Sequence, residues 1–274
     1  MEKIDFIMQG AIYPYTHDIA EKYANMEMIN NVIIGTWKKD ELYFYPYHPK
    51  IKYYFFEPPT FNGVGNRNMQ IKGSLESLRK VTTEFCCRGR TDQSYDEKSM
   101  KVLYDFYQEH KDRVLTYEND PSMPHNRICI HGVYSTYPFH PRDHFIWGNT
   151  KDLIEFFDIP HDTQIGCGGL AGGSPSHENF DEIIRSECYI AAHYYSKFDS
   201  RVQNYIDNKI EYLTDNSPHK QEVFDVYYEL MTKVLKPFPR KNVNFSWPKY
   251  NLQNYYYDVV SEHGQFWAED DKYS

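Results

Sequence analysis

The first 37 residues run strand, helix, strand, and that order leaves the chain few folds to choose from. "KIDFIMQG" is an unbroken apolar run that stops at Gln9 and Gly10, and "NVIIGTW" is a second run, rich in β-branched residues. Apolar strands that do not alternate with polar residues are buried on both faces, as in a parallel sheet covered by helices. Between the two runs Thr16 offers an N-cap, and Ile19, Tyr23 and Met26 recur along one helical face. The spacing predicts a βαβ unit, and with it an α/β protein built on a mostly parallel sheet flanked by helices.

The remainder extends that pattern. "ELYFYPYHPKIKYYFFEPP", aromatic and broken by prolines, predicts irregular strands or a hairpin. "NRNMQIKGSLESLRKVTT" has helical spacing, with Met69, Leu75, Leu78 and Val81 near one face, and leads into a buried strand at Phe85, Cys86 and Cys87. Residues 97–110 predict a helix, "NRICIHGVY" a strand, and "GNTKDLIEFFDIP" a helix capped by Asn149 or Thr150 and stopped before Pro160. Residues 161–179 are loop-like around "GCGGLAGGSPS", and a helical C-terminal extension follows to about residue 235, then a Tyr-rich tail. The expected division is 1–160 for the α/β part and 161–274 for the rest, the two forming one compact domain.

Composition narrows the function classes. Thirty Lys and Arg against 39 Asp and Glu, a net charge of −9 with no basic cluster, argue against a nucleic-acid surface. Five cysteines, Cys86, Cys87, Cys129, Cys167 and Cys188, show no disulfide framework and no CxxC pair, as expected of thiols in a reducing compartment. "MEKIDFIMQG" has no apolar stretch of signal-peptide length, and no apolar window is long enough to span a bilayer. The expectation is a soluble cytoplasmic protein, with at most peripheral association at the inner face of a membrane.

Ligands of open α/β sheets sit beyond the carboxyl ends of the strands. That rule groups Gln9 with Gly10, Thr36 with Trp37, and Arg90 with Asp92. Each has a structural alternative, as turn glycine, core aromatic or helix cap. Taken together they suit a diphosphate: a strand-end carboxylate can hold Mg²⁺ or Mn²⁺, and arginines bind phosphate oxygens bidentately. Arg88 and Arg90 flank Gly89, so they share a side if the strand runs that far. "PFHPRDHFIWG" gathers His140, Asp143 and His144, either as a polar turn or with Asp143 at the acceptor side or in a metal shell. Zinc is disfavoured because no further Cys or His stands at its spacing. "GCGGLAGG" is not a dinucleotide fingerprint, since it neither follows a clear strand nor opens a helix; it suits a mobile loop over a ligand or a surface linker. The clusters "YYFF", "HYYS" and "NYYYD" can stack on sugar rings or pack in the core.

The segments "IDFIMQGAIYPYT", "NVIIGTW", "NRNMQIKGSLESLRK", "CCRGRTD" and "YPFHPRDHFIWGNTKDLIEFFDIP" resemble, in that order, the WavE family of lipopolysaccharide-synthesis proteins. That match covers about residues 4–160 and, more weakly, "RSECYI"; more broadly, "GNRNMQIKGSLESLRKVTTEFCCRGRTD" is similar to a segment of GT-A glycosyltransferases. The resemblance implies a GT-A-like fold and transfer of a sugar from a nucleotide-sugar donor to a hydroxyl of a glycan or glycolipid. Residues 1–160 would be the donor-binding part, and the segment after 161 the acceptor side. Gln9, Gly10 and Thr36 would face the nucleotide, and Asn66, Arg67 and Gln70 would lie near the diphosphate. Asp92 would take the place of the metal-binding DxD acid, and Glu187, with Asp143, would be the acceptor-side catalytic group. The motif here is Arg90-Thr91-Asp92, with one acid where many such enzymes have two, so a divalent cation is implied only in part, and Arg88 or Arg90 can serve in its place. Two alternatives remain: a catalytically inactive binding protein on the same fold, and a metal-dependent nucleotidyltransferase.

Overall fold

The computed structural model describes residues 2–42, 47–112, 126–134, 137–163, 185–208, 212–213, 217–238, 243–248 and 265–266. The glycine loop, Cys167 and the "NYYYD" cluster lie outside them. The strands of the central sheet are β1 (Ile4–Gln9), β2 (Ile29–Trp37), β3 (Ile51–Phe56), β4 (Phe85–Arg90), β6 (Ile128–Ile130), β8 (Phe145–Asn149) and β9 (Leu235–Pro237). Their order is β3-β2-β1-β4-β8-β6-β9, and every adjacent pair is parallel except the two that β8 makes. Short strands β5 (Ser94–Tyr95), β7 (Val133–Tyr134), β10 (Phe245–Ser246) and β11 (Gln265–Phe266) pair as β10-β5 and β11-β7 outside that sheet. The helices are α1 (Thr16–Ala24), α2 (Arg67–Leu78), α3 (Glu97–His110), α4 (Thr150–Phe157), α5 (Ser186–Tyr195), α6 (Ser200–Asp207) and α7 (Lys220–Val234). This is the mostly parallel α/β arrangement expected, with helices flanking the sheet and the helical extension.

Both faces of the sheet are covered, which is why the strands read as continuous apolar runs. Alternate residues divide between two cores. Ile7, Ile33, Cys86 and Ile146 pack with Ile71, Leu153 and Ile190 of α2, α4 and α5, whereas Phe6, Met8, Val32, Cys87 and Trp147 pack with Ile19, Tyr23 and Leu103 of α1 and α3.

At the amino end of β1 the fully buried Asp5 accepts from Asn30 Nδ2 (2.9 Å), from Asn31 N and Nδ2 (3.0 and 3.1 Å), and from Thr82 N and Oγ1 (2.7 and 2.9 Å). One carboxylate thus ties β1, the start of β2 and the turn before β4.

Of the alternatives for the aromatic stretch, residues 51–56 form a strand, β3, parallel to β2. Two differences from the sequence reading follow. "NRICIHGVY" divides into β6 and β7 at Gly132, whose φ of +153° suits only glycine. "FIWGN", to which the sequence reading assigns no strand, is the reversed strand β8.

The β2–α2 contact is close because Gly35 has no side chain: a Cβ there would lie 1.8 Å from Ser77 Oγ and 3.1 Å from the Phe56 ring. Gly35→Ala is expected to destabilise the protein by about 1–3 kcal/mol, seen as a lower denaturant midpoint at unchanged slope.

Candidate functional site

The parallel strands β1, β2 and β4 end on one edge, and because β8 runs the other way, its first residues begin there. That reversal delivers Asp143 to the ends of β1 and β4. A cleft of about 420 Å³ opens at this edge. Gln9, Gly10, Asn66, Gln70, Arg88, Arg90, Asp92, Asp143 and Glu187 all line it.

Gly10 turns the chain away from β1 with a φ of +142°, and a Cβ there would come within 2.8 Å of Thr91 Oγ1. Thr91 Oγ1 donates to the Ala11 carbonyl (2.6 Å), and Thr16 Oγ1 donates to the Thr91 carbonyl (3.0 Å), so the two strand-end loops are stitched together. Thr16 is the first residue of α1 and holds these loops; Tyr15 occupies the cap position. On the far wall Asn66 opens α2 from a left-handed conformation (φ 62°), which Asn tolerates better than most residues. The amino end of α2 therefore borders the cleft with Gly65, Asn66, Met69 and Gln70.

Beta-strand β4 extends through Arg90, so Arg88 and Arg90 share a side. Arg88 is buried: its Nη2 donates to Gln9 Oε1 (2.8 Å), its Nη1 donates to the Asp143 carbonyl, and its Nε has no hydrogen-bond partner among the described residues. Burial lowers its pKa to about 10. Arg90 grips Asp92 with two bonds, Nε to Oδ1 (2.9 Å) and Nη2 to Oδ2 (3.1 Å), and reaches Asp143 Oδ2 with Nη1 (2.9 Å). Burial opposes the charge on Arg90, but Asp143 and Asp92 outweigh it and raise the pKa. Burial alone would raise the Asp143 pKa as well, yet Arg90 and Arg88 hold its carboxyl well below the usual range. Glu187, in the first turn of α5, lies 3.5 Å from His140 Nε2.

Thr36 and Arg67 sit apart from the lining. Thr36 Oγ1 donates to Asp40 Oδ2 (2.6 Å), pinning the 3₁₀ turn Lys38–Leu42, which in turn presents Lys39 to the cleft. Arg67 is 3% exposed; it pairs with Asp162 (3.3 Å), stacks over Tyr189 (4.6 Å) and donates from Nε to the Val64 carbonyl (3.2 Å). Both residues position cleft segments from behind. Conversely Tyr13, Lys39 and Asn62 line the cleft without any sequence signal that singled them out.

Among the described residues no three His, Cys, Asp or Glu side chains gather as a metal-binding group. Both oxygens of Asp92, the acid that the resemblance would put at a metal, accept from Arg90, and the same guanidinium bridges to Asp143. The arrangement does not fit a divalent ion at Asp92.

Behind Asp143, His144 accepts at Nδ1 from Gln93 Nε2 (2.6 Å), and His131 Nδ1 shares a hydrogen bond with the Tyr95 hydroxyl. Burial, opposed by Asp143 and reinforced by Arg142 and Arg90, lowers the His144 pKa to about 3; burial also lowers that of His131. Their unfolded-state value is about 6.5, so below that pH the unfolded chain binds more protons and stability falls as pH drops toward about 3. His144→Gln is expected to flatten this slope by about 1–2 kcal/mol between about pH 6 and pH 4, measured by chemical denaturation across pH.

No family model matches the chain, and no curated protein does. Similar solved structures include TarS from S. aureus, at 12% identity and TM-score 0.40 over 71% of this chain and 34% of that one. Another is HddC from Yersinia pseudotuberculosis complexed with GMP-PN, at 13% identity and TM-score 0.36 over 62% and 84%. A third is 2-C-methyl-D-erythritol 4-phosphate cytidylyltransferase from Francisella tularensis, at 11% identity and TM-score 0.34 over 58% and 77%. Likenesses of this size carry no argument about the chemistry of the cleft.

Proposed function

We propose that this protein is a WavE-like transferase that takes a nucleotide-sugar donor and moves its sugar to a hydroxyl of a glycan or glycolipid. The observation that carries this proposal is the convergence of Lys39, Arg88 and Arg90 with Asp92, Asp143 and Glu187 in one cleft at the carboxyl edge of a mostly parallel sheet. Sugar transfer needs cations where negative charge develops on the departing diphosphate, and a carboxylate to take the proton of the attacking hydroxyl. The arginines are fixed by their partners before any ligand arrives, so little reorganisation is needed when charge develops. The amino end of α2 adds a favourable dipole for an anion.

Glu187 is the better candidate base. Asp143 is engaged by Arg90 and its carboxyl is held strongly acidic, which makes it a weak proton acceptor. Asp143 therefore fits the role of an anchor for Arg90. Among the described residues no helix is long and apolar enough to cross a membrane.

Incubation with a panel of nucleotide sugars tests the proposal. Consumption of one of them with release of free nucleoside diphosphate is expected. Release of pyrophosphate from a nucleoside triphosphate and a sugar phosphate would reassign the protein to nucleotidyl transfer. Nucleotide-sugar binding without any turnover would make it a binding protein.

A further inference from the structure

We infer that the cation of this cleft is Arg90 itself, and that the site binds its nucleoside diphosphate without a divalent metal. This rests on the donor-binding proposal above but concerns a separate property. Asp92 follows the end of β4 beside the cleft, where a carboxylate could reach a cation, yet it is 1% exposed and both its oxygens accept from one guanidinium. Arg90 Nη1 extends the contact to Asp143 Oδ2 at 2.9 Å, so the positive charge sits between the two acids, where a bridging ion would otherwise be. Among the described residues three of the guanidinium's five N–H donors are used, which leaves two for phosphate oxygens.

The acids thereby change function. Asp92 and Asp143 set the fork's plane and keep it charged, just as a metal's ligands would fix the metal. Neighbouring strands reinforce this: Arg88 is fully buried and bonded to Gln9 and to the Asp143 carbonyl, so the segment carrying Asp143 is held from two sides. A metal entering at Asp92 would compete with both Arg90 contacts to that carboxylate and place its charge beside the guanidinium.

The test combines two titrations. Mn²⁺ alone is added to the wild-type protein and to Asp92→Asn, and the signal of free aqueous Mn²⁺ is followed by electron paramagnetic resonance. No uptake is expected in either up to millimolar concentration. In parallel UDP, GDP, CDP and dTDP are screened by thermal shift in excess chelator and in Mn²⁺, on the wild type and on Arg90→Gln. One nucleoside diphosphate is expected to stabilise the wild type equally under both conditions, and its affinity for Arg90→Gln is expected to fall about tenfold or more. Stoichiometric Mn²⁺ uptake by the wild type that Asp92→Asn abolishes overturns this inference alone. A nucleotide shift that needs Mn²⁺ does the same. Silence with every nucleotide under both conditions overturns the donor-binding proposal, and this inference falls with it.

Discussion

Glu187→Gln is expected to lower turnover by about 10²–10⁴-fold while nucleoside diphosphate affinity stays nearly unchanged. The amide keeps the size of the side chain, and with it the packing at the start of α5, but it cannot take a proton. The loss should therefore appear in kcat, with little change in the KM for the donor. Asp143→Asn makes the contrast. It removes the charged anchor of Arg90 Nη1 and the strongest stabiliser of that guanidinium, so its effect should fall on donor affinity. A kcat collapse in Asp143→Asn together with a mild Glu187→Gln would transfer the base role to Asp143. Steady-state kinetics on the two purified variants, with folding verified by thermal unfolding, separate these outcomes.

Asp5→Ala is expected to cost about 3–5 kcal/mol, a fall in Tm of roughly 10 °C for a chain of this size. The carboxylate is fully buried and accepts from five donors, of which the amides of Asn31 and Thr82 are backbone groups. Truncation leaves those donors without a partner and away from water, which is more costly than the loss of a solvated bond. Asp5→Asn keeps part of the acceptor capacity and should fall between the two. A change of under about 1 kcal/mol for Asp5→Ala would mean that water or shifted backbone replaces the carboxylate.

Much of the fold was legible because β1, β2 and β4 lie between two helical layers, so burial alone writes their apolar runs. The strand-end rule then brought Gln9, Gly10, Arg90 and Asp92 to one place without further information. What was not legible depends on pairing between distant segments. Nothing in "FIWGN" distinguishes a strand from the approach to α4, and its reversed direction is decided by its neighbours β4 and β6. Thr36 and Arg67 have the right chemistry for a ligand, but Asp40 and Asp162 engage them from the protein side, and the Asp162 contact spans 95 residues of sequence. Lys39 was missed for the converse reason. In "KKDEL" it looks like a solvated turn, and only the Thr36–Asp40 bond explains why that turn leans over the cleft.

Strand β1 has a knot at one end and an opening at the other. Asp5 and Gln9 are separated by four residues of extended chain, about 13 Å, which is beyond the distance over which substitutions usually influence one another. Changes around Gln9 that retune what the cleft accepts should then add to the effects of changes around Asp5 without compounding them. A library that diversifies the cleft can be built on a background stabilised at the opposite edge, and losses of folding and losses of recognition can be scored as independent quantities.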